Sequence, residues 1–184
     1  DSSPNGSYPT QRGFDGYYGS LSGAGNFYSP KAVYRNEEKV TKFSRGYYYT
    51  DAINEHSVEF ILNHGGASPF FLYVAHYAPH RPLQAPEERV EACRERYLVG
   101  YDVLRQERYK RLKEMGLVAS EAELPIFQNE YKKQARPSWD SLDSEMKEKW
   151  VEEMATYAAM IEIMDDGIGD VVEAVKKRGE FDNT

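Results

Sequence analysis

The sequence predicts an α/β fold, because one strand-like apolar run lies between segments with helical patterns. The run "FFLYVAHY" at residues 70–77 is too short for a typical helix and is closed by Ala78-Pro79. We expect a strand buried on both faces, which belongs in the middle of a sheet that helices cover. The chain supplies few other strands, so we expect the remaining strands of that sheet to lie outside these 184 residues.

Residues 1–49 predict a loop-rich segment. From Asp1 to about Tyr34 the chain is rich in Gly, Ser, Pro, Asn and Tyr with no sustained period, which predicts ordered loop with one short strand. The chain has 15 tyrosines, many of them in such loops. We expect these rings to pack amphipathically at loop surfaces, and not to form a stacking platform for nucleic acid, because basic residues do not interleave regularly.

Residues 50–86 predict a short helix, then the strand, then a proline-rich loop. Thr50 or Asp51 is the candidate helix cap, and Gly65-Gly66 is the candidate stop.

Residues 87–143 predict a charged helical excursion. Its main pattern places apolar residues on one side of a helix that Gly116 ends, namely Tyr101, Leu104, Leu112 and Met115. Pro125 and Pro137 then favour a connecting segment.

Residues 144–184 predict a long amphipathic helix, capped by Ser141 or Asp143 and ended by Gly179. Its apolar positions recur at spacings of three and four: Met154, Tyr157, Ala158, Ile161, Met164, Ile168, Val171, Val172 and Val175. Gly167 and Gly169 lie inside this pattern, where each costs about 1 kcal/mol relative to alanine. A close packing contact or a bend is therefore expected there.

Composition excludes several function classes. The 23 basic and 30 acidic residues give a formal charge of -7, which disfavours a broad phosphate-binding surface for nucleic acid. No apolar run approaches the roughly 20 residues of a membrane span. The single cysteine, Cys93, excludes an internal disulfide and a cysteine-cluster zinc site, and it lies in a charged helical stretch with no histidine nearby.

His80 is the candidate residue for chemistry. It follows the carboxyl end of the predicted strand, where open α/β sheets place their ligands, and Pro79 and Pro82 stiffen its loop. Imidazole donates to anionic oxygens or protonates leaving groups near neutral pH. From the residues alone, a loop histidine hydrogen-bonded to backbone is the favoured interpretation.

Other candidates are weaker. His76 and His80 are four residues apart, but this spacing forms a metal pair only in a helix, and no partner is evident for His56 or His64. The acidic side chains of the last helix fall on its polar side: Asp165, Asp166 and Asp170. The chain contains no Gly-x-Ser-x-Gly, Walker-type or Gly-x-Gly-x-x-Gly motif.

Four segments favour a functional interpretation of His80 over a structural one: "QRGFDGYYG", "PFFLYVAHYAPHRPLQAP", "GYDVLRQERYKRLKEMGLV" and "YAAMIEIMDDGIGDVVEAVKKRGEFDNT". In this order they resemble the middle of a bacterial, Pseudomonas-type arylsulfatase, in the sulfatase branch of the alkaline-phosphatase-like superfamily. The resemblance implies part of a sandwich with a central mixed sheet flanked by helices. It also implies that residues 1–184 are an internal portion of a sulfatase catalytic domain.

The resemblance implies hydrolysis of sulfate esters, with a formylglycine nucleophile and a calcium ion. The family histidine of the Ala-Pro-His-x-Pro block contacts the sulfate group and is a candidate to help protonate the leaving group; by motif match it is His80. Arg81 and Gln84 flank it without an assigned role. The chain lacks the Cys/Ser-x-Pro-x-Arg motif, and Cys93 is not its precursor. We expect the nucleophile and the calcium ligands to lie outside this chain, which alone would be inactive.

The substrate implied is a small-molecule or carbohydrate sulfate ester, with no nucleic-acid or membrane partner and an open oligomeric state. A bacterial periplasmic or secreted location is favoured over a cytoplasmic one. Two alternatives stay open. One is a phosphonate monoester or phosphodiester hydrolase of the same superfamily. The other is a non-catalytic relative that binds sulfated glycans.

Overall fold

The chain folds as a mixture of helices and short antiparallel strands, which confirms an α/β composition. The computed structural model describes residues 6–23, 25–66, 68–125 and 137–184, together with the backbone of 128–129 and 134–135. Two compact units are present: residues 1–85 with 157–184, and residues 86–156. No helix in the described part of the chain is both long and apolar enough to cross a membrane.

A three-stranded antiparallel sheet opens the first unit. Its strands are β1 (Tyr18–Ser20), β2 (Val33–Arg35) and β3 (Glu38–Lys39), in that spatial order. Gly19 lies opposite Tyr34 in the register. The turn between β2 and β3 uses Asn36 at a positive φ of 57°, and the Asn36 side-chain oxygen accepts the Tyr17 N–H at 3.0 Å. The loop-rich segment therefore holds more sheet than the one strand predicted.

Helix α1 spans Tyr49–Asn63. It begins one residue before the predicted caps, and neither Thr50 nor Asp51 caps it: Tyr48 precedes the first turn without a capping side-chain bond. Its buried face carries both apolar and polar side chains: Tyr49, Thr50, Ala52, Ile53, Asn54, Ser57 and Ile61. At the other end Arg178 donates to the carbonyl oxygens of Ile61 (3.2 Å) and His64 (2.6 Å), so it satisfies acceptors that the helix leaves open.

Helix α4 spans Ser144–Lys177 and contributes residues to both units. Its first turn is capped as predicted, because Asp143 Oδ1 accepts the Met146 N–H at 2.7 Å. Its predicted end is also confirmed, since Gly179 adopts the left-handed φ of 73° that follows helices. Of the two interior glycines, only Gly167 is in close contact. A Cβ there would meet the Asn54 side chain at 1.8–2.3 Å, whereas a Cβ at Gly169 would meet nothing within 4 Å.

Aromatic rings are prominent in the core of the first unit. Phe27 is fully buried and stacks on Tyr48 with ring centroids 5.6 Å apart. The buried members of this cluster are Phe27, Val33, Tyr48, Tyr49, Ile53, Ala78, Met160 and Ile163. Four tyrosines are buried to within 5% exposure, namely Tyr8, Tyr34, Tyr48 and Tyr49. The expectation that the tyrosines pack at loop surfaces was wrong for these four, because their rings are core side chains.

The predicted buried strand at residues 70–77 is not formed. These residues join no ladder in the described part of the chain. Burial alternates along the segment: Phe70 and Leu72 pack on a cluster of Ile61, Ala174 and Val175, whereas Phe71 and Tyr73 are 74% and 71% exposed. This period of two is the side-chain alternation of a strand. What is missing is a hydrogen-bonded neighbour and a cover for the second face.

The second unit contains helices α2 (Glu87–Arg94) and α3 (Tyr101–Glu114) and a short hairpin of β4 (Gln128–Asn129) and β5 (Gln134–Ala135). Gly116 ends the α3 region with a φ of 70°, as predicted. The expected apolar side of α3 is only half covered, and no residue of α3 is buried. Pro125 and Pro137 border a connection whose residues 126–136 lie mostly outside the described part of the chain.

Local contacts fix the start of α4 in the second unit. Arg94 pairs with Glu152 at 2.9 Å and with Glu148. The ring of Tyr101 meets Trp139 and Trp150 edge-on, with centroids 5.4 and 5.7 Å apart. These contacts join helices α2 and α3 to the beginning of α4.

The contact at Gly167 leads to a matched pair of substitutions in one helix. Gly167→Ala would force the buried Asn54 side chain to move, and we expect a loss of about 1–3 kcal/mol in the free energy of unfolding. Gly169→Ala has open space and should gain about 0.5–1 kcal/mol from lower backbone entropy in the unfolded chain. Denaturant unfolding of the two variants measures both signs. Equal midpoints for the two would contradict the packing described.

Candidate functional site

His80 lies in the loop that follows residues 70–77, and its side chain is exposed. The peptide bonds Ala78-Pro79 and Arg81-Pro82 on either side of it are both cis. The His80 backbone N–H donates to the Tyr77 carbonyl oxygen at 3.0 Å, which closes a tight turn. The proline-flanked loop thus turns at His80 and presents its imidazole outside the core.

The two ring nitrogens of His80 are in different environments. Nδ1 lies 2.5 Å from the carbonyl oxygen of Arg81. A carbonyl oxygen only accepts, so Nδ1 carries the proton. Nε2 makes no hydrogen bond to any residue that the structure describes. In the neutral ring Nε2 therefore has a free lone pair, and in the protonated ring it is an N–H donor available to a ligand.

Gln84 has a structural role that the sequence did not assign. Its side-chain Oε1 accepts the Phe27 N–H at 2.9 Å, and its backbone carbonyl accepts the Tyr48 hydroxyl at 2.7 Å. Both partners belong to the aromatic core. Gln84 therefore anchors the downstream end of the His80 loop. Arg81, the other flanking residue, is exposed.

His76 forms a contact that sequence analysis missed. Its Nε2 donates to Asn54 Oδ1 at 2.7 Å, and Asn54 Nδ2 in turn donates to the Ile163 carbonyl oxygen at 3.4 Å. Asn54 is only 6% exposed and fills the space above Gly167. Partial burial lowers the pKa of His76, because less water reaches and stabilises the charged ring. No pattern in the sequence indicates this contact, because Asn54 meets Gly167 and His76 only in the folded chain.

The remaining histidines have local partners. His56 Nδ1 lies 3.1 Å from Glu59 Oε2, and this hydrogen bond, with a further contribution from Arg35, lowers the pKa of the Glu59 carboxyl. His64 Nε2 donates to the Ser68 carbonyl oxygen at 2.9 Å. Both hydrogen bonds join residues three or four positions apart in the chain, and they bring neither ring to His80.

No metal centre is visible in the described residues. Within residues 6–23, 25–66, 68–125 and 137–184, no three His, Cys, Asp or Glu side chains are grouped so as to hold a metal ion. Asp165, Asp166 and Asp170 are exposed on α4, as expected of its polar side. Cys93 is fully buried in α2, in agreement with a structural helix-face cysteine.

Comparison with known proteins gives a consistent family. The family model described as Sulfatase matches residues 2–184. A protein of Schizosaccharomyces pombe described as an uncharacterized sulfatase is 32% identical over 192 residues, which cover 96% of this chain and 34% of that protein. An arylsulfatase of Klebsiella aerogenes is 26% identical over 189 residues, covering 97% of this chain and 39% of the relative.

A shorter match, to mouse arylsulfatase J, is 36% identical over 96 residues and covers 47% of this chain and 16% of that protein. The chain thus spans between about a third and two fifths of the length of the first two curated relatives it matches.

The partial burial of His76 predicts a pH dependence of stability. Its pKa is lowered in the folded chain, so at mildly acidic pH the unfolded chain binds more protons than the folded one. The free energy of unfolding should therefore fall as pH drops below about 6.5, the ordinary histidine value. An NMR titration should show the His76 ring titrating below that value. The variant His76→Gln should lose less of its free energy of unfolding than the wild type as the pH falls. A His76 midpoint above the ordinary histidine value would contradict the burial effect.

Proposed function

Because the chain belongs to the sulfatase family, we propose that it is part of a hydrolase that cleaves sulfuric esters of the arylsulfatase type. The observation that carries this proposal is the family match over residues 2–184, which includes the His80 loop. The relatives named arylsulfatase support the same class. The substrate proposed is a small-molecule or carbohydrate sulfate ester.

In this proposal His80 contacts the sulfate group or the ester oxygen through Nε2. Its Nδ1–H is held by the Arg81 carbonyl, which leaves Nε2 for the substrate. When the ring is protonated, Nε2–H donates to an anionic oxygen or to the alcohol oxygen that gains charge as the S–O bond breaks. The loop geometry supports this role, because the imidazole is held by its backbone neighbours and stays open on the outer side.

In this proposal, the nucleophile and the ligands of the metal ion lie in parts of the protein outside these 184 residues. No described group of side chains fits a calcium site, and the sequence has no Cys/Ser-x-Pro-x-Arg motif for formylglycine. In the family, calcium supplies positive charge that holds the sulfate group. Since the chain spans only part of its relatives, we assign the calcium ligands and the formylglycine to other parts of the protein. A periplasmic or secreted location stays a prediction.

We extend the proposal to the fold. Residues 70–77 have the alternating burial of a strand. Helices α1 and α4 pack against one of its two rows of side chains. Backbone groups of such a segment need partners, and the exposed Phe71 and Tyr73 need a cover. A central mixed sheet within an alkaline-phosphatase-like sandwich supplies both.

Hydrogen exchange tests this placement. In the complete protein, the backbone amides of residues 70–76 should exchange slowly, because neighbouring strands accept their hydrogen bonds. In the isolated 184-residue chain the same amides should exchange fast. Amides inside α1 serve as the internal control, since their bonds form within the helix. Fast exchange at 70–76 in both proteins would contradict the proposed sheet.

The role of His80 is tested by turnover in the complete protein. His80→Ala should lower the turnover of an aryl sulfate by about 100-fold or more, the range of general acid–base assistance. His56→Ala is the control, because that ring contacts Glu59 and not the His80 loop. Parallel assays with an aryl phosphate distinguish the phosphate-ester alternative. Wild-type turnover by His80→Ala would remove His80 from the reaction, and binding of sulfated glycans without any turnover would favour the non-catalytic alternative.

A further inference from the structure

The ring of Tyr77 lies between His80 and the aromatic core. It is nearly parallel to the His80 imidazole, with centroids 5.4 Å apart and an angle of 23° between the planes. The same ring contacts Phe27 at 4.9 Å and Tyr49 at 6.0 Å. Both of these are core residues, so the imidazole rests on a ring that is itself packed on the core.

Polar contacts fix Tyr77 at both ends. Its hydroxyl oxygen accepts the backbone N–H of Gly25. Its carbonyl oxygen accepts the His80 N–H at 3.0 Å. The phenol is therefore tied to the segment of residues 25–27, and the backbone is tied to the histidine that its ring supports.

The same segment also holds the other end of the loop. Phe27 donates its N–H to Gln84 Oε1 at 2.9 Å. The loop between Tyr77 and Gln84 is thus anchored twice to residues 25–27, with His80 between the anchors. Holding a reacting group in one orientation reduces the entropy lost when the substrate binds and the reaction proceeds.

We propose that Tyr77 is the positioning residue of His80: its ring fixes the plane of the imidazole so that Nε2 is directed at the ester. This inference rests on the proposed sulfuric ester hydrolase. The stack restricts rotation of the imidazole, while the Nδ1–H bond to Arg81 decides which nitrogen remains for the substrate.

Two substitutions of Tyr77 in the complete protein separate positioning from folding. Tyr77→Phe keeps the ring and loses the Gly25 contact, so it should lower the unfolding midpoint and keep most of kcat. Tyr77→Leu loses the stack and should lower kcat by about 10- to 100-fold with a smaller change in KM. Tyr109→Leu in the other unit is the control. Its ring contacts Lys113 and its hydroxyl donates to Ala122, so the variant loses a ring contact and a hydroxyl bond without touching His80.

An NMR readout is independent of activity. The Tyr77 ring should shift the His80 ring protons upfield in the wild type and in Tyr77→Phe, and Tyr77→Leu should abolish this shift. A folded Tyr77→Leu variant with wild-type kcat, or with unchanged His80 shifts, overturns the inference while the hydrolase proposal stands. Absence of sulfate-ester turnover in the wild type overturns the proposed function and this role with it, even where the ring shift is observed.

Discussion

The close contact between Asn54 and Gly167 is the constraint on which the first unit depends. Only a residue without a side chain leaves room in α4 for the buried amide of Asn54. That amide then bonds the Ile163 carbonyl on one side and the His76 ring on the other. One glycine thus sets how near α1 and α4 lie, and the resulting polar link holds the chain just before the His80 loop. A buried amide of this kind is stable only when its donors and acceptors are used.

The aromatic core performs a second task besides excluding water. Phe27, Tyr48 and Tyr77 each place a ring in the core or against it and also make one polar bond that holds a loop. Tyrosine suits this arrangement because it combines a large apolar surface with a hydroxyl that needs a partner when buried. Burial accordingly raises the pKa of Tyr48 to about 12. The loop-rich sequence around these rings is thus ordered by its side chains more than by regular backbone structure.

Sequence patterns predicted the structure correctly where a feature depends on only a few neighbouring residues or on one missing side chain. The Asp143 cap, the Gly179 terminus and the close packing at Gly167 depend on one turn of helix or on one missing Cβ, and all three are confirmed. The prediction of a strand at residues 70–77 was wrong, because a strand is defined by its hydrogen-bonded neighbours and an apolar run does not specify these. The Asn54 to His76 bond joins helix α1 to the segment of residues 70–77, and nothing in either local sequence indicates that they meet. His80 was found through a motif resemblance, and its loop geometry is compatible with the proposed role.

The row of side chains containing Phe71 and Tyr73 has a consequence for how cells handle this polypeptide. Any state in which the row lacks its cover presents bulky apolar groups beside backbone donors and acceptors without partners. Such surfaces pair edge to edge with other copies, and they are the kind of surface that holdase chaperones bind. The yield of folded protein then depends on whether this row is covered before copies of the chain associate. Mild overproduction at low temperature would favour folding over association.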